Sequence, residues 1–309
     1  MKIAVIGAGN WGKNLVRTIH ALGHLGPVVE PFADHHPNIT AVAPTATIFT
    51  DHSPLLRDPA ITAVAIATPA STHHQLAKAF LLAGKDVFVE KPIALSVADA
   101  QDLHQTATQE NKILMVGHLL LYHPAITFIR DYLKTGELGT LFTLHQQRSK
   151  LGRARDTEDA LWSLGVHDVA VLLHLVGSPP LKVTSYSHAG LQPSIADDVY
   201  LHLDFANGVK ATLHNSWLWP EDSRFLRIIG SRAMLVYDDK TQEVMLHRKS
   251  INSNLTNQDQ GTELLFKNTA EPLAIELKHF IDCVIHRTTP LSDSINGIDV
   301  LKVLAQATP

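Results

Sequence analysis

Short unbroken apolar runs alternate with segments of helical spacing over the first third of the chain, and the texture then changes. The runs are Ile3-Ala-Val-Ile6, the stretch opening at Val28-Val29, Ile61-Thr-Ala-Val-Ala-Ile-Ala67, Val87-Phe-Val89 and Ile113-Leu-Met-Val116. Between them, Leu15, Val16, Ile19 and Leu22 share one helical face, as do Leu76, Ala79, Phe80 and Leu82 before a stop at Gly84. Residues 97–111 read as a further helix. Runs this short and this apolar are the pattern of strands covered on both faces of a parallel sheet. Their alternation with helices predicts a doubly wound, nucleotide-binding α/β domain over residues 1–120.

After Tyr122-His-Pro124 a helix carrying Ile126, Ile129 and Leu133 stops at Gly136, and alternating strands take over. They are predicted at 141–148, 183–188, 199–205, 209–217, 225–229, 234–237 and 244–247, with turn signals at Asn207-Gly208 and Gly230-Ser231. Helices are predicted at 166–176 and about 272–283. The polar stretch from Ser250, including Gln258-Asp-Gln-Gly261, reads as a mobile loop. The expected second domain, residues 121–309, is α+β with a large, mainly antiparallel open sheet. Helices cover one face, and a second subunit is the usual cover for the other.

At 309 residues the chain exceeds what one core usually supports, in keeping with two domains. A net charge of −4 argues against nucleic acid as a partner. One cysteine, Cys283, excludes an internal disulfide and suits a reducing cytoplasm. The expectation is of a cytoplasmic protein with no membrane span and no signal peptide, since Met1-Lys2 runs straight into the first strand. No metal site is expected. Nineteen histidines are too many for a histidine to mean anything without positional support.

The first positional signal is Gly7-Ala-Gly-Asn-Trp-Gly12, a G-x-G-x-x-G turn between a predicted strand and a predicted helix. There Gly7 permits the tight turn, Gly9 lets a pyrophosphate approach the backbone, and Gly12 allows close helix–strand contact. The helix N-terminus then faces the phosphates with free N–H groups. An acid about 20 residues on should hold the adenosine ribose. Asp34 is the favoured candidate, because Glu30 reads as lying inside the strand beside Pro31. No arginine or lysine follows it, which favours NAD over NADP.

Glu90-Lys-Pro92 closes the Val87–Val89 run, where open α/β sheets bind their ligands. Pro92 biases Lys91 towards an extended conformation and so aims it. A solvated pair before a helix would carry the same tripeptide. Oxidising an alcohol needs a base for the hydroxyl proton and a group to polarise the C–O bond. Lys91 is one candidate. The other is His167, at the start of an apolar helix whose N-terminus would disfavour its protonation, with Asp168 beside it as cap or orienter. His118 and His123 are rivals. Arg148, Lys150, Arg153 and Arg155 leave a strand for a loop, an arrangement suited to a phosphate-bearing substrate and equally to a solvated basic loop.

Taken together, the glycine turn, Ala67-Thr-Pro-Ala-Ser-Thr-His73, Glu90-Lys-Pro92 and the helix-start His167 resemble the Gfo/Idh/MocA oxidoreductase family over essentially the whole chain. The resemblance implies a Rossmann domain plus a large-sheet domain, candidate catalytic Lys91 and His167, often a cis bond before Pro92, and dimers or tetramers built on the sheet face. It implies NAD contacts from Asn10, Trp11, Thr68, Pro69, His73, Glu90, Lys91 and His118. Substrate contacts are implied for Lys91, His118, Tyr122, His123, Trp162, His167 and the cations from Arg148 to Arg155. Within the family, residues 117–124, 148–155 and 160–163 are similar to enzymes acting on UDP-linked sugars, with oxidation at the 3-hydroxyl of an N-acetylated sugar expected. Two positions depart from many relatives. Ser163 stands where they carry aspartate, and Leu120 or Leu121 where they carry arginine. A uronic-acid analogue, inositol or free-sugar oxidation, glycoside cleavage through transient oxidation, and dinucleotide sensing stay open as alternatives.

Overall fold

The computed structural model describes residues 1–307, which divide into two compact units. The first comprises Met1–Leu119 and Glu271–Leu301; the second comprises Leu120–Ala270 and the residues from Lys302 onward.

In the first unit, β1 (Ile3–Ile6), β2 (Leu25–Val29), β3 (Ile48–Phe49), β4 (Ala63–Ile66), β5 (Asp86–Glu90) and β6 (Leu114–Gly117) form one sheet ordered β3-β2-β1-β4-β5-β6. Every neighbouring pair is parallel. The connections carry α1 (Gly12–Ala21), α2 (His36–Val42), α3 (Ser53–Arg57), α4 (His73–Leu82) and α5 (Val97–Gln109). All residues of β1, β4, β5 and β6 are buried; β1, β4 and β6 carry no charged residue, and β5 is apolar at Val87–Val89 between carboxylates at its two ends, so polar work falls to the strand ends. The strand order reverses between β1 and β4, which opens the crevice where such sheets bind dinucleotides.

The second unit begins with α6 (Pro124–Lys134). Its eight strands are β7 (Leu141–Leu151), β8 (Lys182–His188), β9 (Asp198–Asp204), β10 (Lys210–Ser216), β11 (Leu218–Gly230), β12 (Met234–Asp238), β13 (Glu243–Ile251) and β14 (Asn257–Lys267), with α7 (Val166–Val176) between β7 and β8. The order is β14-β13-β12-β11-β7-β10-β9-β8, antiparallel except where β7 and β10 run parallel. Leu144, Leu201, Leu203, Ala211, Leu213, Leu235 and Leu246 are buried, and α6 and α7 pack against strands of this sheet. Alternate residues are polar: His145 bonds Thr212 Oγ1 at 2.6 Å, and Tyr200 stacks on His214 at 4.1 Å.

Two expectations need correction. The stretch expected to be a mobile loop after Ser250 instead forms β14, paired antiparallel with β13. An edge strand exposed along most of its length carries no apolar alternation to read; backbone pairing defines it. The second domain also does not run unbroken to the C-terminus. Helix α8 (Pro272–His286) returns to the first unit, where Phe280 packs on Phe88 with ring centroids 5.8 Å apart. Just past it, Arg287 bonds both oxygens of buried Asp86 at 2.9 and 2.8 Å and the Asn111 carbonyl at 2.8 Å. A last helix, α9 (Ser294–Ala307), follows. Because Phe280 is wholly buried, Phe280→Ala should cost about 3–5 kcal/mol. Urea unfolding followed by fluorescence or circular dichroism checks this, and a change within experimental error contradicts it.

Candidate active site

Gly7 sits at φ +86°, and its N–H donates to the Val29 carbonyl at 2.8 Å. A Cβ at Gly12 would run into the Gly7 carbonyl oxygen, so only glycine lets α1 start so close to β1. A Cβ at Gly9 would meet nothing nearer than His35 at 3.8 Å. The start of α1 has no side-chain cap and no acid in its first turn, which leaves its positive dipole end to a phosphate.

The acid at this turn is Glu30, not Asp34. β2 ends at Val29, and Glu30 follows directly, 3% exposed. One carboxylate oxygen accepts the Ala8 N–H at 2.8 Å, the other the Phe32 N–H at 3.0 Å. Asp34 lies on an exposed 3-10 turn, Ala33–His35. The strand stops before Pro31 rather than continuing to Asp34, so Glu30 is the acid at the strand end beside the glycine turn. The glycine turn, the uncapped helix start and Glu30 together fit an adenine dinucleotide.

The ends of β4, β5 and β6 carry the remaining predicted groups of this unit. Thr68 follows β4, its Oγ1 2.7 Å from Thr72 Oγ1, with exposed Pro69 next to it. His73 is buried. Its Nδ1 lies 2.7 Å from the Pro92 carbonyl oxygen and its Nε2 2.9 Å from that of Thr68, so the ring ties two loops together and faces inward. Burial holds its pKa below the ordinary histidine value. Glu90 is buried at the end of β5 and accepts the Trp11 indole N–H at 2.5 Å, which ties the glycine turn to this strand. Burial raises its pKa to about 7, against the Trp11 bond and the charge of Lys91. Lys91 follows, half-buried, and its bond to Pro92 is cis. His118 ends β6, 1% exposed, with neither ring nitrogen bonded among the described residues. Burial, then the charge of Lys91, pushes its pKa down to about 3, so it is a neutral imidazole. Asn10 and Trp11 lie exposed on the glycine turn.

In the second unit His167 is the second residue of α7 and half-buried. A π-helical turn, Leu161–Gly165, runs into α7 without a break. His167 is therefore not at a free helix N-terminus, and the dipole argument for its neutrality loses its basis. Trp162 lies on the π turn, its backbone N–H donating to Asp159 at 2.8 Å. Asp168 is wholly buried and accepts from Gln146 Nε2 at 2.6 Å, Arg148 Nε at 3.0 Å and Asn215 Nδ2 at 2.9 Å. Burial raises its pKa, and Arg148 and Asn215 oppose that. These bonds pin the start of α7 to β7 and β10 and so fix the backbone that carries His167.

The cation cluster divides. Arg148 also lies 3.6 Å from Asp239, which accepts the Tyr237 hydroxyl at 2.9 Å; that hydroxyl is 3.3 Å from a ring nitrogen of buried His123. Arg148 is thus tied into a buried network rather than offered to a phosphate. Arg155 pairs with Glu158 at 2.9 Å, while Lys150 and Arg153 are exposed. Tyr122 is buried. Gln146, Asn215 and Asp239 were not singled out from the sequence, since polar residues inside strands carry no spacing signal. Among the described residues no cluster of three or more His, Cys, Asp or Glu is placed to hold a metal, and no helix is long and apolar enough to cross a membrane.

A dinucleotide turn on a parallel sheet, joined to an α+β unit with a large sheet, defines a nicotinamide-dependent oxidoreductase class. The description "Oxidoreductase family, NAD-binding Rossmann fold" matches residues 1–118, and "GFO/IDH/MocA C-terminal domain" matches residues 126–236. The chain belongs to the Gfo/Idh/MocA family, and its cofactor is NAD. It is 25% identical to UDP-N-acetylglucosamine 3-dehydrogenase of Acidithiobacillus ferrooxidans over 307 residues, covering 99% of this chain and 96% of that one. A crystal structure of that enzyme superposes with a TM-score of 0.87, covering 100% and 96%. It is also 24% identical to scyllo-inositol 2-dehydrogenase (NAD(+)) of Bacillus subtilis over 325 residues, covering 100% and 93%. An Agrobacterium radiobacter oxidoreductase solved with NAD+, L-tartaric acid and magnesium shares the fold at a TM-score of 0.83, with 17% identity and 99% and 95% coverage.

Asp168→Ala leaves the half-buried Arg148 guanidinium and the amides of Gln146 and Asn215 without their shared partner, at an expected cost of about 3–5 kcal/mol. Denaturant unfolding measures it, and an unchanged midpoint contradicts the anchoring role.

Proposed function

We propose that this protein oxidises the 3-hydroxyl of a UDP-linked N-acetylated sugar, UDP-N-acetylglucosamine, to the ketone. The observation that carries this reading is Lys91, placed at the carboxyl end of β5 beside a residue bonded to the dinucleotide turn, in a chain similar over its whole length to UDP-N-acetylglucosamine 3-dehydrogenase. NAD, when bound, supplies the hydride acceptor. His167 takes the hydroxyl proton, and Lys91 hydrogen-bonds the same oxygen as its charge develops. Lys150, Arg153 and Arg155 are the cations offered to the UDP pyrophosphate. A 3-keto product suits a transaminating enzyme next in line, as in amino-sugar synthesis for lipid A or other surface glycans. A cytoplasmic homodimer or homotetramer, joined through the sheet face that α6 and α7 leave open, completes the reading. The inositol dehydrogenase similarity favours a second reading, oxidation of a free cyclitol or sugar.

NADH absorbance separates these. UDP-N-acetylglucosamine should reduce NAD; reduction only by its uronic-acid analogue, or only by inositol, replaces the substrate assignment. Lys91→Ala and His167→Ala should each lower kcat by about 10²–10⁴-fold, and near-normal turnover in either removes that residue from the scheme. Arg153→Ala should raise KM for the UDP-sugar by about tenfold with little change in kcat. An unchanged KM reassigns the pyrophosphate contact.

A further inference from the structure

Glu276, on α8, is a buried carboxyl group with no part in the chemistry described so far. It is 1% exposed, and neither oxygen accepts a hydrogen bond from the described residues. Glu276 lies one helical turn before Phe280, whose ring packs on Phe88 at 5.8 Å, and Glu90 follows Phe88 by two residues on the same strand, so its side chain emerges on the same face. Glu90 is itself buried, lies against Gly117 of β6, and holds the Trp11 indole of the dinucleotide turn. Two carboxyl groups in one dry region cannot both ionise freely, because the second charge has neither water nor a counter-ion to offset it. A buried polar group without a partner is also a standing cost to stability.

The position gives this pair a use. β4 to β6 form the second half of the doubly wound sheet, and the glycine turn with Glu30 beside it, which suits the adenosine half, lies in the first half. The nicotinamide half of the dinucleotide therefore belongs over the ends of β4 to β6, where Glu90 sits. That ring is cationic when oxidised and neutral when reduced.

We propose that Glu90 and Glu276 form a proton-holding pair beneath the nicotinamide site, with Glu276 as its neutral member, and that the pair's charge follows the redox state of the ring. A cationic ring favours the singly ionised pair; a neutral ring favours uptake of a proton. Glu276 acts through Glu90 and is a positioning residue. The other charged or titratable groups nearby are Lys91 beside Glu90, buried His73 and His118 within range of Lys91, and Arg17 of α1, tied at the surface to Glu271 at 2.6 Å. Burial raises Glu276 well above 4.5, with the charge of Glu90 adding to it. The measurements below use no substrate and do not depend on the proposed reaction.

A carboxyl group whose pKa is raised on folding contributes stability that is present below its unfolded value and lost as pH rises towards its folded value. For Glu276 the loss starts near 4.5 and runs upward from there, because burial and then the charge of Glu90 raise it. The isosteric Glu276→Gln has no such loss. Its melting temperature relative to the parent should therefore climb between about pH 5 and about pH 8. A difference that stays constant across that range overturns the neutral assignment. For the cofactor, calorimetry on the purified chain in buffers of different ionisation enthalpy should find more protons released on binding NAD+ than NADH. The preference for NAD+ over NADH should rise by about three- to tenfold from about pH 6 to about pH 8. Glu90→Gln should abolish both effects. A preference flat in pH, or one that persists in Glu90→Gln, overturns the redox link.

Discussion

A parallel sheet covered on both faces has no place for polar chemistry except the edge where its strands end. That constraint orders the first unit. The middles of its central strands are apolar because they are buried, and the polar groups gather at or just past the strand ends: the glycine turn after β1, Glu30 after β2, Thr68 after β4, Glu90 and Lys91 at β5, His118 after β6. Burial also sets their charge. The same dry surroundings that lift Glu90 to about 7 drop His118 to about 3, so a carboxyl group can hold a proton while a histidine beside a lysine cannot.

The second unit is organised around a different feature, the buried carboxylate of Asp168 one residue after His167. The three side chains that bond Asp168 come from two strands that lie side by side in the sheet, β7 and β10. Arg148 is central to this network, because a guanidinium can serve Asp168 while lying near Asp239. A charge network of this kind is costly to assemble but hard to rearrange, and it fixes the backbone at the start of α7, where His167 lies.

Much of this was legible in the residues themselves. The run Val87–Val89 and its charged end identify a central parallel strand, and the glycine spacing after Ile6 identifies the dinucleotide turn. Other features were hidden for physical reasons. β14 is exposed along most of its length, so no apolar alternation marks it. Glu30 and Asp34 could be ranked only by knowing where β2 stops, a boundary that depends on its pairing with β1 and β3. Arg148 looked like one more cation leaving a strand, and only the register of β7 turns it inward. Glu276 gave no signal at all, since one acid on an amphipathic helix is ordinarily solvated. It matters because α8 returns to the first unit, a long-range event that local pattern does not encode.

The central claim is that Lys91 and His167 act on one carbinol carbon presented to the nicotinamide. A crystal structure of the protein with NAD and UDP-N-acetylglucosamine tests it most directly. The claim predicts the sugar 3-hydroxyl within hydrogen-bond reach of both side-chain nitrogens, with its carbon facing C4 of the nicotinamide. A sugar seated with another hydroxyl there, or with either nitrogen turned away from the reacting oxygen, contradicts it.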